Sequence, residues 1–454
     1  MNFTELVQNQ KDFFQTGKTS SYHFRVAALK DLRKSIIAHQ QEIYDSMLTD
    51  FNKCKGEVYM SEIGLILDEI GHHIKHLHKW MKTKKVPTPI SQFPSRSFIV
   101  KQPKGVVLIM SPWNYPLLLC IEPLIGAISA GCTAIVKPSA YTPNTSATIA
   151  KILGSIFTKE YVAVVEGGRE QNAALLEEPF DHIFFTGSST VGKVVLEKAA
   201  KHLTPVTLEL GGKSPVIVDE TADINVAVRR IAFGKVLNAG QTCVAPDYLF
   251  IHKNVKSKFI QAYQKAIKEF FPNDDMNSMT HIVNQKHFER ISNLLKDQNI
   301  VIGGQTDNQQ RFIAPTLLDD VSLDSPIMQE EIFGPILPMI SYTDIESCIT
   351  YINSHPKPLA LYLFTKNKKL EKQFLTRCIY GGGCINDTIV HIATSHLPFG
   401  GIGNSGMGSY HGEKSFETFS HFKSILKNSP YIDLPIRYRP FTKLKEKLVK
   451  MVLK

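Results

Sequence analysis

The sequence has little cysteine, and the cysteines that it has form no recognisable pattern. Seven are scattered over 454 residues without a C-x-x-C pair, which argues against a disulfide framework and favours reduced thiols in an intracellular protein. The N-terminal segment is polar and lacks the basic and apolar regions of a secretory signal. We therefore expect a cytosolic protein. Internal repeats and low-complexity tracts are also absent.

An uninterrupted apolar run of membrane-spanning length is missing as well. The most apolar stretch, residues 106–136, is broken by three prolines, Asn114 and Glu122, so it does not predict a transmembrane helix. Hydrophobic residues make up 43% of the chain and charged residues 21%, which is typical of a soluble globular protein. The length predicts about three structural units.

Charge of one sign is concentrated in the C-terminal tail, while the rest of the chain is close to neutral. The net charge is +10, and the last eighteen residues hold seven basic residues against Glu446 alone. A nucleic-acid groove across the main fold is excluded, because it would need a basic face and a recognisable motif. Residues 437–454 predict a basic amphipathic helix, which suits peripheral contact with an anionic membrane. Packing on a partner subunit and a frayed terminus remain alternatives.

Apolar segments predict an α/β fold with two sheet domains. The first eighty residues have helical periodicity. Short β-branched runs then start roughly twenty to thirty residues apart, which leaves room for crossover helices. They lie at residues 106–110, 133–136, 162–165, 182–185 and 205–208. Such runs indicate parallel strands buried on both faces, as in a Rossmann-like cofactor-binding sheet. A second set, between residues 215 and 364, implies a second α/β domain.

Shorter segments complete the predicted organisation. Residues 83–101 read as two extended runs around a turn, and a last strand is expected around residues 416–426, after a glycine-rich loop at 398–408. The predicted units are a cofactor-binding domain with N-terminal helices (1–82 and 102–211), a catalytic domain (212–412), a small β arm (83–101 and 413–427) and a basic tail (428–454).

Cys243 ends a turn of small residues, 238–243 (NAGQTC). Such a turn can present a thiol to a cleft and point backbone N–H groups at it, which would lower its pKa from about 8.5 and supply oxyanion donors. The alternative is a small buried apolar residue.

Three further segments end predicted strands. Glu209 precedes two glycines at a strand's carboxyl edge, where burial would raise its pKa toward that of a general base, or where it could cap a turn. Asn114, held between two prolines, could donate to an oxyanion or close an Asx turn. Residues 184–192 (FFTGSSTVG) form a strand–turn–helix junction that suits a pyrophosphate, although it is not G-x-G-x-x-G.

Together these segments resemble the aldehyde dehydrogenase superfamily, from about residue 20 to about residue 425. Segments 137–139 (KPS), 330–335 (EEIFGP) and 398–401 (PFGG) also look like that family's motifs, in the same order. Segments 245–248 (APDY) and 386–391 (NDTIVH) look like its class 3 branch, which acts on medium- and long-chain aliphatic and on aromatic aldehydes.

The resemblance implies a role for each matching residue. Cys243 would attack the aldehyde to give a thiohemiacetal, and Asn114 and the Cys243 N–H would hold its oxyanion. After hydride transfer, Glu209 would activate the water that hydrolyses the thioester. Tyr115 and Phe399 would line the aldehyde funnel. Lys137 and Glu331 would bind ribose hydroxyls, Gly187 and Ser188 the pyrophosphate region, and Phe333 the nicotinamide. The implied residues for NAD or NADP are Lys137, Ser139, Gly187, Ser188, Val191, Glu331 and Phe333.

One position departs from the family's pattern. Where many NAD-preferring relatives carry a glutamate three residues after the lysine, this chain has Ala140, which neither binds the adenosine ribose 2′-OH nor repels a 2′-phosphate. We therefore predict that NADP is accepted alongside NAD. The resemblance also implies a homodimer formed through the arm.

Competing interpretations differ in what happens to the thioester. A CoA-acylating or acyl-reducing relative would use the same cysteine, but Glu209 favours hydrolysis. A cofactor-binding or structural protein without turnover would not need Cys243, Glu209 and Asn114 together. His72 and His76 have a zinc-compatible i, i+4 spacing, but no acidic or cysteine ligand accompanies them, so we predict no metal site.

Overall fold

The first eighty residues form helices, as their periodicity predicts. The computed structural model describes residues 2–276 and 278–453. The N-terminal helices are α1 (Phe3–Gln15), α2 (Tyr22–Ala38), α3 (Gln40–Phe51), α4 (Lys55–Val58) and α5 (Gly64–Trp80), with a π-helical turn at Tyr59–Ile63 between α4 and α5. Such turns are rare and frequently occur at functional sites.

The later helices alternate with strands. They are α6 (Leu118–Ala130), α7 (Pro143–Gly154), α8 (Arg169–Leu175), α9 (Ser189–Ala200), α10 (Ile224–Val236), α11 (Lys256–Phe270), α12 (Gln285–Asn293), α13 (Pro326–Gln329), α14 (Ile345–Ser354), α15 (Lys368–Arg377), α16 (Glu413–Thr418) and α17 (Lys443–Val452). Helix α6 is buried along its whole length, which explains why its sequence is apolar on every face.

Most strands are short, and many are fully buried. In chain order they are β1 (Lys84–Val86), β2 (Arg96–Pro103), β3 (Val106–Met110), β4 (Thr133–Lys137), β5 (Val162–Val164), β6 (His182–Gly187), β7 (Val206–Leu210), β8 (Pro215–Val218), β9 (Tyr248–His252), β10 (Ile300–Ile302), β11 (Thr306–Asp307), β12 (Phe312–Ile313), β13 (Thr316–Leu318), β14 (Ile336–Tyr342), β15 (Ala360–Phe364), β16 (Gly382–Ile385), β17 (Gly406–Met407) and β18 (Ser420–Lys427).

The first large sheet has the order β17-β7-β6-β3-β4-β5 and is parallel from β3 to β7. Its five parallel strands coincide with the five predicted runs, because strands buried on both faces must be apolar throughout. From β3 the chain adds β4 and β5 on one side and then crosses to β6 and β7 on the other. The crevice between β3 and β6 is therefore a topological switch point, where open α/β sheets bind ligands.

The second large sheet has the order β10-β13-β14-β9-β8-β15-β16. It is parallel except for β10, which runs antiparallel to β13. One buried cluster runs from the N-terminal helices through one face of the first sheet into this second sheet, so the two sheets share a core. The predicted α/β class with two sheet domains is confirmed.

Strands β1, β2 and β18 form a separate three-stranded antiparallel arm. The predicted last strand is present as β18, but it begins at Ser420 and not near residue 416, because Phe416 lies in α16. That segment is helical because it packs on α6, where Gly126 lies directly against Ser415 and Phe419.

The C-terminal tail follows the arm. Phe441 and Val449 line a shallow cavity together with residues 91–95 of the arm, whereas Leu444 and Met451 are 67% and 64% exposed. In the part of the chain that the structure describes, no helix has both the length and the apolar character needed to cross a bilayer.

Candidate active site

The segments singled out in the sequence meet at the carboxyl edge of the first sheet. Asn114 follows β3, Lys137 ends β4, Gly187 ends β6 and Glu209 lies in β7. Cys243 reaches the same place from the second domain, in the turn between α10 and β9. Residues from both domains therefore face one cleft.

The turn before Cys243 has an unusual backbone. Asn238, Ala239 and Gly240 are all left-handed, with φ of 53°, 52° and 69°. Side-chain amides hold this turn: Asn238 Nδ2 donates to the carbonyl oxygens of Asn114 (2.7 Å) and Gln241 (3.1 Å), and Gln241 Oε1 accepts from the Val283 N–H (3.0 Å). Residues with a side chain rarely adopt left-handed φ values, and they keep them only where the surrounding structure holds them. This hydrogen-bond network holds the turn in that conformation.

Two hydrogen bonds join the nucleophile turn to the segment after β3. Asn114 Nδ2 donates to the Gln241 carbonyl at 3.0 Å, and the Tyr115 hydroxyl lies 2.6 Å from Thr242 Oγ1. A side-chain amide has two N–H donors, so Asn114 keeps one for another acceptor. Asn114 is thus bonded to the turn that ends at Cys243, with one donor to spare.

The environment raises the pKa of the Cys243 thiol, whereas the turn alone predicted a lowered pKa. Desolvation raises its pKa, and the carboxylates of Glu331 and Glu209 raise it further. The backbone N–H groups of Cys243 and Val244 do act on the sulfur in the predicted direction, lowering the pKa, but they are outweighed. The prediction failed because it counted the local turn and neither the burial of the thiol nor the two carboxylates that the fold brings near.

Glu209 is a buried residue, 2% exposed, on the central one of three adjacent strands. Its neighbours across the sheet are Thr186 of β6 and Gly406 of β17. Neither of its carboxyl oxygens, nor the Thr186 hydroxyl, has a hydrogen-bond partner among residues 2–276 and 278–453. Desolvation raises the pKa of Glu209 well above its ordinary value, as predicted. Buried polar atoms without partners mark a place where water or a ligand binds.

An apolar cavity of about 150 Å³ reaches the Cys243 thiol. Tyr115 and Phe399, the two predicted funnel residues, both line it. Sequence reasoning missed most of the other lining residues, among them Leu118, Leu119, Phe233, Leu237, Ile389 and Tyr410. The i, i+4 spacing of residues 233 and 237, just before the nucleophile turn, was an available signal. The cavity is suited to an apolar chain.

Two buried charged residues stand in the wall of this cavity. Glu122 Oε2 lies 3.3 Å from His411 Nε2, with side chains 7% and 5% exposed. Burial raises the pKa of Glu122. Burial alone would lower the pKa of His411, but the carboxylates of Glu122 and Glu69 outweigh this effect, so the pKa of His411 is raised. No local pattern links two residues so far apart in the chain.

The β6–α9 junction matches the predicted pyrophosphate site in form. Ser188 caps α9 and accepts a hydrogen bond from the Val191 N–H at 3.4 Å, and the N-terminal N–H groups of α9 face the sheet's carboxyl edge. A Cβ on Gly187 would lie 2.6 Å from the Phe185 ring. An anion at this helix terminus would meet N–H donors and a favourable dipole.

The two other cofactor segments flank this junction. Lys137 is 3% exposed, and its ammonium donates to the carbonyls of Pro138 (2.7 Å) and Gly167 (2.6 Å), which leaves one of three donors. Ser139 Oγ accepts from the Tyr141 N–H at 3.2 Å. Ala140 is exposed beside it.

Glu331 folds over the segment after Glu209, so that a Cβ on Gly211 would lie 2.1 Å from its Oε2. Desolvation and Asp247 raise the pKa of Glu331 to about 8. Phe333 is left-handed, with φ of 51°, and its ring meets the Trp113 ring edge-on at 5.4 Å. The N-terminus of α9, the third Lys137 donor and the Thr186 hydroxyl, which has no partner among the described residues, together fit a dinucleotide along this edge.

None of the seven cysteines is disulfide-bonded in the structure. The rings of His72 and His76 pack against Trp80, and their own ring centroids lie 4.3 Å apart. Within residues 2–276 and 278–453 no group of three or more histidine, cysteine or carboxylate side chains is arranged to hold a metal ion.

Comparison with known proteins identifies relatives along the whole chain. The model of the aldehyde dehydrogenase family matches residues 2–425. The 4,4'-diaponeurosporen-aldehyde dehydrogenase of Staphylococcus aureus is 48% identical over 450 residues, which are 98% of each chain. Aldehyde dehydrogenase family 3 member H1 of Arabidopsis thaliana is 45% identical over 99% of this chain and 94% of its own.

Two further matches bear on cofactor and fold. A dimeric NADP-preferring aldehyde dehydrogenase of Canis lupus familiaris is 43% identical over 96% of this chain and 97% of its own. The structure of Staphylococcus aureus AldH in a substrate-bound state superimposes with a TM-score of 0.98 at 47% identity, covering both chains completely. The predicted likeness to the class 3 branch is confirmed.

Proposed function

Since the chain belongs to the aldehyde dehydrogenase family, we propose that it oxidises a medium- or long-chain aliphatic or an aromatic aldehyde to the carboxylic acid, using NAD or NADP. The observation that carries this proposal is the apolar cavity whose wall includes Cys243. A relative named for a 4,4'-diaponeurosporen aldehyde, 48% identical to this chain, supports a large apolar substrate.

Cys243 is the proposed nucleophile. Its sulfur attacks the aldehyde carbon, and the resulting oxyanion accepts hydrogen bonds from the Cys243 N–H and from the Asn114 amide donor that Gln241 leaves free. Because the resting thiol has a raised pKa, it must lose its proton for the S–C bond to form. That proton passes to solvent, so the small fraction of ionised thiol is the attacking species.

Glu209 explains how the acyl group leaves Cys243. Its carboxyl oxygens, unpartnered among the described residues, can hold a water and take its proton as that water attacks the thioester. This favours hydrolysis over transfer to CoA. A raised pKa suits the role, since a stronger base removes a proton from water more readily.

Bound NAD or NADP supplies the acceptor for the hydride that leaves the thiohemiacetal carbon. Of this chain's residues, Gly187, Ser188 and Val191 at the start of α9 would hold the pyrophosphate, with Lys137 and Ser139 toward the adenosine ribose. Glu331 would bind the other ribose and Phe333 would position the nicotinamide. The exposed Ala140 supports use of NADP as well as NAD, as does the NADP-preferring relative.

A panel of aldehydes of increasing chain length, assayed with NAD and with NADP, tests this function. Each methylene that enters an apolar cavity contributes up to about 0.8 kcal/mol, so kcat/KM should rise about two- to fourfold per methylene until the cavity is filled. A preference for short polar aldehydes would contradict the proposed substrate. Acyl-CoA as the main product in the presence of CoA would instead favour the CoA-acylating alternative.

We further propose a cytosolic homodimer with peripheral membrane contact through residues 437–454. The arm offers the unpaired edge of β1, and the canine relative is named as dimeric. In the tail, the exposed Leu444 and Met451 lie among lysines. Sedimentation should give a dimer, and deletion of 437–454 should abolish binding to anionic liposomes. A monomer, or unchanged liposome binding, would contradict the respective proposal.

A further inference from the structure

Three charged residues of the N-terminal helical segment lie behind the catalytic turns, far from them in sequence. Lys53 follows α3, Glu57 is in α4, and Glu62 is in the π-helical turn. Lys53 Nζ and Glu62 Oε1 form an ion pair of 2.7 Å, and both side chains are fully buried. A buried ion pair is costly to desolvate and adds little stability by itself, so its other contacts must explain it.

Glu62 contacts the segment that carries Asn114. Its second oxygen, Oε2, accepts the N–H groups of Leu117 (3.0 Å) and Leu118 (3.2 Å) at the start of α6. These are helix-terminal donors that no side chain of α6 itself caps. Glu62 thus caps a helix from outside and fixes the chain three residues after Asn114.

Lys53 supports the neighbouring residue. Its ammonium lies 4.2 Å from the centroid of the Tyr115 ring, within the range of a cation–π interaction. The hydroxyl of the same ring lies 2.6 Å from Thr242 Oγ1, next to Cys243. A displacement of Lys53 would therefore move the rigid Tyr115 ring, and with it Thr242 of the nucleophile turn.

Glu57 contacts the nucleophile turn directly. Its Oε1 accepts the N–H of Asn238 at 2.6 Å and the hydroxyl of Thr280 at 3.4 Å. Asn238 is the first of the three left-handed residues, and its side chain bridges to the Asn114 carbonyl. Glu57 thereby holds the residue at which the chain enters the strained turn.

We propose that Lys53, Glu57 and Glu62 are positioning residues, which hold the Cys243 turn and the Asn114 donor in register across the two domains. This inference rests on the proposed function, because it assigns the triad to the acylation step. The three act through Asn238, Tyr115 and Leu117, and none of them needs to touch the substrate. Misplacing reacting groups by about 1 Å costs on the order of a hundredfold in rate.

Glu57→Met removes the acceptor for the Asn238 N–H, while Glu57→Gln keeps a carbonyl oxygen there as the matched conservative variant. Lys55→Met, on an exposed side chain of the same helix, is the control. We expect Glu57→Met to slow the single-turnover burst of NADH about a hundredfold with NADH affinity unchanged. Glu57→Gln and Lys55→Met should stay within about fivefold of the parent, since a neutral acceptor retains most of a hydrogen bond.

A folded Glu57→Met protein with a burst rate close to that of the parent would overturn the inference, as would equal slowing by Glu57→Gln and Glu57→Met. If Glu57→Met does not fold, Glu57→Asp withdraws the carboxylate by one methylene and should slow the burst in the same way. Alkylation of Cys243 by iodoacetamide requires neither aldehyde nor cofactor. It should be about tenfold slower in Glu57→Met, because the N–H groups aimed at the sulfur are displaced.

The two failures can be told apart. A parent protein that forms no NADH from any aldehyde contradicts the proposed function, whereas a changed alkylation rate in Glu57→Met would still support the positioning role. Normal NADH formation by the parent with unchanged alkylation and burst in Glu57→Met contradicts only the positioning role.

Discussion

A Cβ atom on Gly240 would lie 2.3 Å from the carbonyl oxygen of Gly334, so the nucleophile turn and the turn after Phe333 are in direct backbone contact. Gly240 also has a φ of 69°, which residues with a side chain rarely adopt. Two segments with different assigned roles, one at the substrate and one at the cofactor, therefore share a single close approach.

Gly240→Ala should disturb both segments. The clash with backbone cannot be relieved by a side-chain rotation, so we expect a loss of about 1–3 kcal/mol in the free energy of unfolding. We also expect about a hundredfold lower kcat, because the thiol moves relative to the cofactor segment. Gly71→Ala, in α5 with open space around its Cβ, is the control and should stabilise the protein by about 0.5–1 kcal/mol. Equal behaviour of the two variants in thermal unfolding would refute this account of Gly240.

Glu209→Gln should separate the two halves of the reaction. The amide cannot accept a proton from water, so an initial burst of NADH should appear and steady-state turnover should then fall by at least about a hundredfold. Stopped-flow absorbance measures both phases. Loss of the burst itself would mean that Glu209 is also required to deprotonate Cys243.

The pH dependence of Cys243 alkylation follows from its raised pKa. Because the neutral thiol is unreactive, the alkylation rate without cofactor should climb about tenfold per pH unit from about pH 7 to about pH 9 with no plateau. Peptide mass spectrometry distinguishes this site from the partly exposed Cys384. A plateau near neutral pH would show that the two backbone N–H groups outweigh burial and the carboxylates in setting the pKa of Cys243.

Ala140→Glu should convert a cofactor-tolerant enzyme into one selective for NAD. A carboxylate beside Lys137 would repel a 2′-phosphate and accept the ribose 2′-OH, so kcat/KM with NADP should fall about tenfold or more while that with NAD changes little. Steady-state assays of both proteins provide the comparison. Strong exclusion of NADP by the unmodified protein would contradict the premise.

Sequence periodicity was sufficient to predict the parallel strands. Runs such as 106–110 are apolar throughout because β3 is covered on both faces, and this burial is visible in composition alone. The start of β18 was not predicted, since the helical state of Phe416 depends on its packing against α6. Local pattern cannot report a contact with a helix three hundred residues earlier.

Candidate site residues divide in the same way. Cys243, Glu209 and Asn114 stand in motifs with recognisable neighbours, so the sequence alone could suggest them as candidates. Glu57 and Glu62 act through hydrogen bonds to backbone N–H groups, which any sequence provides, so no motif marks them. The raised pKa of Cys243 was missed for a related reason, because both the burial that mainly causes it and the nearby carboxylates depend on other segments of the chain.

Trapping the acyl group on the protein tests the central claim most directly. Glu209→Gln incubated with decanal and NAD, then quenched and digested, should yield the peptide of Cys243 with an added decanoyl group, and Cys243→Ala in the same background should yield none. An acyl group on another cysteine, or NADH formation without any adduct in the Glu209→Gln protein, would contradict the assignment of Cys243 as the nucleophile.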